Sequence, residues 1–304
     1  QSDRLVTIDD FLPVQNLEQL LMVENDTSVM LDYSPDFIDG FGPRTTVSTA
    51  DWGQLVKVVE SALNKLQVPV LPMSTKRIIR DLGLLSGKLP LTIMRDTTEA
   101  LGAIGLAAAI RHLKTTGELS RTIVIPVDSH LELFRKSPGR NQRCDLILVK
   151  VGGSGFTLEF VEVKNYRNVS PGLFESMKSQ IDSTVARLDY LGNKAPPSID
   201  AEIQWARWCG LLRFYANRSA AHGLLPVGDL DKIMSGISRI ETTMEAPARI
   251  LKTGIVVNIP GGQKMPSKHA DMRLIQLTSV EFEETILQSE YSSFTQRALP
   301  TPAD

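Results

Sequence analysis

Between Arg143 and Tyr166 the chain carries two β-prone runs, RCDLILVKV (143–151) and FTLEFVEVKNY (156–166), joined by the short link GGSG. Branched and aromatic side chains suit a pleated surface, and a glycine-rich link this short turns consecutive strands into an antiparallel hairpin. Apolar residues fall on both faces of the strands, so the hairpin belongs inside a sheet covered on two sides. That constraint points to an α/β protein with a mixed sheet flanked by helices.

A side-chain period of two places Phe160, Glu162 and Lys164 on one face of the second strand, with Val161 and Val163 on the other. An acid and a base near the end of an otherwise apolar strand are expensive to bury unless paired or bound to something. Asp145 starts the preceding strand, with sixteen residues between it and Glu162, so the hairpin register can set the two carboxylates side by side. Adjacent carboxylates repel unless a cation lies between them. An oxygen-only pair suits Mg²⁺ (or Mn²⁺), which takes few protein ligands and keeps several waters. Such an ion could polarise a phosphodiester and help ionise an attacking water. Lys164 would orient or deprotonate that water, or stabilise the transition state. The plainer reading of Glu162 and Lys164 is a solvated ion pair worth about 0–1 kcal/mol. For Asp145 it is a strand that merely begins after a turn.

Around the hairpin, DTTEALGAIGLAAAIRHLK (96–114) reads as a helix, RTIVIPVD (121–128) as a buried strand and LFESMKSQIDSTVARLDYL (173–191) as an amphipathic helix. Helices are expected over roughly 199–221 and 229–243, followed by strands RILKTGIVVNI (249–259) and RLIQLTS (273–279) and a closing helix. The order is α-β-β-β-α-β. Ahead of it lies a small α/β region, with strand-like RLVTI (4–8), SVMLDY (28–33) and RTTVST (44–49) and a helix over DWGQLVKVVESALNKL (51–66). The run Leu82–Leu91, interrupted by Gly83, Gly87 and Pro90, marks an expected boundary. The division predicted is an N-terminal region over 1–88, a main domain over 89–290 and a tail over 291–304.

Composition narrows the function classes. With 42% apolar and 22% charged residues, the 304-residue chain reads as an ordinary soluble protein. A formal charge of −2 gives no global affinity for nucleic acid, although phosphate attraction can be confined to a cleft. Cys144 and Cys209 cannot form a disulfide framework, and the four histidines lie too far apart for a metal-binding helix. No stretch approaches the roughly 20 apolar residues needed to cross a bilayer, and no signal peptide is visible, so a reduced cytoplasm is the expected setting. The chain begins at Gln1, which leaves open that it is a fragment of something longer.

Asp145 followed by Glu162-Val163-Lys164, on a hairpin between two helices, resembles the PD-(D/E)xK nuclease signature, and the surrounding element order resembles that family's core. The resemblance covers roughly residues 91–280. Cys144 stands where the family's proline would precede the acid. The resemblance implies a restriction-endonuclease-like fold, with Asp145, Glu162 and the backbone carbonyl of Val163 as metal ligands and Lys164 as a catalytic residue. It further implies Glu99, on the first core helix, as an additional acid, and Gln180 as the polar residue some members carry on the next helix. The stretches DRLVTIDDFL, TEALGAIGLAAAIRHL, IVIPVDSH, RCDLILV and EFVEVKNYR are similar to the nuclease-like region of HerA/FtsK-like ATPases from DNA phosphorothioation-dependent restriction systems. That likeness implies an endonuclease of antiviral defence, partnered by DNA and by other subunits or domains of a restriction ATPase. No GxxxxGK[ST] loop is present, and GLLSGKL (83–89) has the wrong spacing, so this segment is not expected to hydrolyse ATP.

Rival readings stand beside several residues. Glu99 closes Asp96-Thr97-Thr98-Glu99, which also resembles a helix-capping box. Asp128 and His130 follow a strand end and could line a cleft. The stretch WARWCGLLRFYANR (205–218) interleaves aromatics with Arg207, Arg213 and Arg218. It suits a nucleic-acid platform, but aromatics at helical spacing are more often core. PGGQKMPSKH (260–269) is a basic loop that could touch a backbone, and residues 121–180 hold nine Lys/Arg against six Asp/Glu. Besides the endonuclease, the sequence admits a non-catalytic nuclease-like module that binds DNA or docks subunits. A transcriptional or signalling domain is less attractive, as no recognition helix or glycine-rich nucleotide loop is visible.

Overall fold

The computed structural model describes residues 30–34, 44–48, 52–69, 72–85, 89, 93, 97–130, 142–152, 155–166, 169–188, 191, 199–221, 225–259 and 265–287. Among them are seven α-helices, a two-stranded sheet and a six-stranded mixed open sheet. The small sheet pairs β1 (Met30–Ser34) antiparallel with β2 (Arg44–Ser48). The expected strand RLVTI (4–8), the tail beyond 291 and residues 260–264 of the basic loop lie outside the described residues.

The hairpin forms as its apolar runs require. Strand β4 (Leu146–Gly152) pairs antiparallel with β5 (Gly155–Asn165), in register from Leu146↔Val161 to Gly152↔Gly155. Gly155 takes φ +140°, a conformation that disfavours side chains, where the turn enters β5. On the far side of β4 lies β3 (Thr122–Pro126), also antiparallel and buried along its length. Its proline sits at the end of an edge strand, where a missing N–H is tolerated.

Beyond β5 the sheet turns parallel. β6 (Arg249–Ile259) runs alongside β5 and β8 (Met272–Thr278) alongside β6, while the two-residue β7 (Lys268–His269) closes the edge antiparallel to β8. The strand order is therefore β3-β4-β5-β6-β8-β7.

Each face of the sheet has its own apolar core. Leu146, Leu148, Val161, Val163, Ile255 and Val257 form one with helices α1 (Trp52–Lys65), α2 (Pro72–Leu85), α3 (Thr97–Thr115) and α7 (Ser279–Leu287). Ile147, Val149, Phe156, Leu158, Phe160 and Val256 form the other with α4 (Leu173–Arg187), α5 (Ile199–Ala221) and α6 (Val227–Thr243). Three helices thus separate β5 from its parallel neighbour β6, a long crossover of the kind parallel pairing demands.

Helix α2 extends into the first residues of the breaker-rich run Leu82–Leu91. Leu82 and Gly83 lie inside it, and Ile78, Ile79, Leu82 and Leu85 are buried in the same core as α3. Pro72 opens the helix at a position where its missing N–H costs nothing. Arg218 of α5 donates to the Gly83 carbonyl at 2.9 Å, tying α2 to a helix 135 residues further along the chain. No helix among the described residues is long and apolar enough to cross a membrane.

Candidate metal centre on the β4–β5 hairpin

Pairing of β4 with β5 ends at Leu146↔Val161. Immediately beyond it, the Asp145 N–H donates to the Val161 carbonyl at 3.0 Å and the Asp145 carbonyl accepts the Val127 N–H at 2.9 Å. Asp145 thus sits where the ends of β3 and β4 meet the C-terminal half of β5. Its Oδ2 accepts the backbone N–H of Val163 at 2.7 Å, so the carboxylate reaches across to β5 between Glu162 and Lys164 in sequence. Glu162 projects from the face of Phe160 and is 1% exposed. Opposite Glu162 on β6 stands Gly254, where a Cβ would come within 2.9 Å of Leu274 and of Met177 on α4. The floor of the site is therefore closed by packed apolar groups.

Lys164 Nζ lies 2.5 Å from Glu162 Oε1. The other oxygen, Oε2, is buried and has no hydrogen-bond partner. Burial, and then the nearby Asp145 charge, push the Glu162 carboxyl well above its ordinary range, against the pull of Lys164. Burial likewise raises Asp145 from 3.8 to about 6, although the Lys164 charge and the Val163 N–H oppose it. For Lys164, burial favours the neutral amine, but the charge and hydrogen bond of Glu162 and the charge of Asp145 outweigh it and raise its pKa. The group is an ammonium at neutral pH. Two crowded acids and one cation thus share a site in which one carboxylate oxygen is left unanswered.

The remaining sequence candidates fall in different places. Gln180 is buried on α4, the helix layer that Glu162 faces, and its Nε2 donates to the Arg143 carbonyl at 3.4 Å. It braces the segment leading into Asp145. Glu99 is half-buried in the first turn of α3, which packs on the face of Val161 and Val163, opposite to the face of Glu162. No three Asp, Glu, His or Cys side chains among the described residues gather as a metal-holding group, so Glu99 is not brought together with Asp145 and Glu162. Asp96, the head of the alternative capping box, lies outside the described residues.

Asp128, just past β3, is half-exposed and ion-paired with Arg143, and its charge acts on both Asp145 and Glu162. His130 does not line the cleft. It is buried, with its Nε2 2.5 Å from the Tyr215 hydroxyl. Cys144 is also buried, and burial followed by the charge of Glu162 raises its thiol far from the thiolate a ligand or nucleophile needs. On α5, Trp205, Trp208, Phe214 and Tyr215 are core residues, Arg213 pairs with Glu241, and Arg218 is buried against α2. The stretch is a packed helix and presents no aromatic platform.

Two residues near the site carried no sequence signal. Arg143 gives its charge to the site from two positions before Asp145, and the buried Thr184 hydroxyl accepts the Cys144 N–H at 2.8 Å. Their partners are remote in sequence, so no local pattern marks them.

No protein-family model, no curated protein and no solved structure matches this chain. The meaning of the site rests on its own chemistry.

Proposed function

We propose that this chain is a PD-(D/E)xK-type nuclease core with a restriction-endonuclease-like fold, a Mg²⁺- or Mn²⁺-dependent endonuclease that hydrolyses DNA phosphodiesters. The observation that carries the reading is the bare Oε2 of Glu162, buried beside a second carboxylate whose own pKa is raised to about 6. An unpaired buried acid is costly, and a hard divalent cation is the ligand that would relieve both carboxylates at once. Asp145, Glu162 and the Val163 carbonyl would hold it; bound there, it would supply Lewis-acid polarisation of a phosphate and a more acidic water.

The chain's own groups would do the rest. Lys164, kept as an ammonium by Glu162, suits the stabilisation of negative charge on the phosphoryl oxygens better than the removal of a proton. Its electrostatic role is thus favoured over the general-base role that the sequence left open. In the hydrolysis, the water oxygen forms a bond to phosphorus and gives up a proton to solvent, the bond from phosphorus to the leaving sugar oxygen breaks, and a solvent proton replaces the lost bond on that oxygen. The Val163 N–H holds Asp145 in place throughout, while Asp128 and Arg143 set the charge at the rim. Similarity to restriction ATPases is the ground for proposing a role in antiviral defence, in the cytoplasm, with DNA and the remaining parts of such an ATPase as partners.

A non-catalytic docking or DNA-binding module is the second reading. It is favoured by one observation: no third acid joins the pair among the described residues. Incubation of DNA with the full chain and Mn²⁺, paired with calorimetric titration of Mn²⁺, separates the two. The nuclease reading expects cleavage that Asp145→Ala and Lys164→Ala abolish while both variants still melt cooperatively. Equal cleavage by wild type and variants would refute the site, and metal binding without cleavage would favour the module.

A further inference from the structure

We infer that Thr184, on helix α4, is a positioning residue that sets the Asp145 carboxylate for metal binding; the inference rests on the nuclease reading for its purpose but not for its geometry. Asp145 precedes the first paired residue of β4, so regular strand pairing does not fix it. A ligand on such a segment is held only as well as the bonds to its neighbours hold it. Two of these bonds come from the sheet, through Val161 and Val127. Two more come from α4, where Gln180 Nε2 donates to the Arg143 carbonyl at 3.4 Å and the Thr184 hydroxyl accepts the Cys144 N–H at 2.8 Å.

Thr184 is the tighter of the α4 contacts and is wholly buried. Its hydroxyl proton is already committed to the Gln180 carbonyl one turn back, at 2.9 Å. That bond fixes the rotamer of a stiff, branched side chain and aims an oxygen lone pair at the Cys144 amide. The carbonyl of Gln180, the Thr184 hydroxyl and the Cys144 N–H therefore form one directed chain, from the helix backbone to the residue next to Asp145. Displacement of that peptide would swing the Asp145 carboxylate off its bond to the Val163 N–H, which measures 2.7 Å. Thr184 acts through this backbone chain and needs no contact with metal or substrate.

The test uses the full chain with Thr184→Val, which keeps the shape and removes the acceptor, and Thr184→Ser, which restores it. One arm is metal-free: amide hydrogen exchange at Val163, whose acceptor is the Asp145 carboxylate. Valine is expected to lower protection of that amide and serine to recover it. Unchanged Val163 protection in the valine variant would overturn the inference, because a merely structural Thr184 would loosen Cys144 alone. The second arm is titration with Mn²⁺ alone. The valine variant should lose affinity by about tenfold or more, the scale seen for partners that orient metal ligands. Affinity equal to wild type would overturn the inference. Should the valine variant fail to fold, Thr184→Cys, a weaker acceptor of similar size, is read by the same two arms and the same criteria. If the wild type binds no Mn²⁺, the nuclease reading fails, and the Val163 arm still decides whether Thr184 sets Asp145.

Discussion

Glu159 and Glu162 lie three residues apart on β5, face opposite sides of the sheet, and are 5% and 1% exposed. Their surroundings differ sharply. Glu159 Oε1 accepts the Thr253 hydroxyl at 2.6 Å and Arg273 Nη2 at 3.2 Å, and Lys150 Nζ lies 3.9 Å from Oε2. Arg273 is held in turn by Glu118, 2.5 Å away. Both Glu159 oxygens have a partner. Glu162 has Lys164 on one oxygen and nothing on the other, with the acid Asp145 close enough to raise its pKa. One strand of one fold thus answers one buried acid completely and another only in part. Burying polar groups is tolerable when their bonds are made and costly when they are not. The contrast assigns Glu159 to the architecture and leaves Glu162 as the residue with work for a ligand to complete.

Exchange of the two acids for their amides would break that contrast most directly. Glu162→Gln should lose Mn²⁺ affinity by about 100-fold or more, at or beyond the top of the range for residues that only orient a ligand. Glu159→Gln should bind Mn²⁺ as wild type does. Calorimetry on both variants checks the pair, and equal losses would show that the faces are not functionally distinct. Stability should rank the other way. Glu159→Ala removes the acceptor of the buried Thr253 hydroxyl and one of the two carboxylates that hold Arg273, and should cost about 2–3 kcal/mol in denaturant unfolding. This is less than the roughly 3–5 kcal/mol typical of a fully buried ion pair, because the Arg273 side chain is 47% exposed.

The difference between these acids was only half readable in the sequence. Glu162 declared itself because its partners are local: Lys164 is two residues on, and Asp145 lies across a hairpin whose glycine link fixes the register. Glu159 sits in the same apolar run, but Thr253 and Arg273 are 94 and 114 residues further along the chain. No periodicity could join them. Thr184 was silent for the same reason, 40 residues from Cys144. Strong strand patterns fared better: β6 spans Arg249–Ile259, the bounds expected for it. Helix α2, which opens on Pro72, was not among the expected elements, and Gly83 near its end read as a breaker. Yet proline suits a first helical turn, and the glycine's intrinsic cost of about 1 kcal/mol is offset by four buried neighbours in the helix and by Arg218 on its carbonyl.

Proton linkage sharpens the comparison further. Asp145 is raised from 3.8 unfolded to about 6 folded, so its protonated form is the one the fold prefers. The resulting stabilisation is fully present below about pH 3.8 and is lost as the pH rises through about 6. Asp145→Asn removes the charge and leaves an oxygen for the Val163 N–H. At neutral pH it should raise the stability of the metal-free protein by about 1–3 kcal/mol. Metal reverses the sign, because a ligand must be deprotonated. Mn²⁺ affinity should fall by at least roughly tenfold for each pH unit below about 6 in the wild type, since Glu162 must shed its proton as well. A flat profile in calorimetry across that window would remove Asp145 from the ligand set.

The smallest effect is expected furthest from the hairpin, on the α5 stretch whose alternating aromatics and arginines suited a nucleic-acid platform. Arg213 is paired with Glu241, and their side chains are 31% and 33% exposed, so Arg213→Ala should change stability by no more than about 1 kcal/mol. It should also leave DNA affinity and its salt dependence unaltered, because the aromatic rings beside it are turned into the core, with Trp208 and Tyr215 buried. A phosphate contact would behave differently: its loss weakens binding to all sequences and reduces the salt slope by about one. Binding isotherms at several salt concentrations decide between these outcomes. A reduced slope in Arg213→Ala would return α5 to the proposed DNA-binding surface, beside the candidate site on the β4–β5 hairpin.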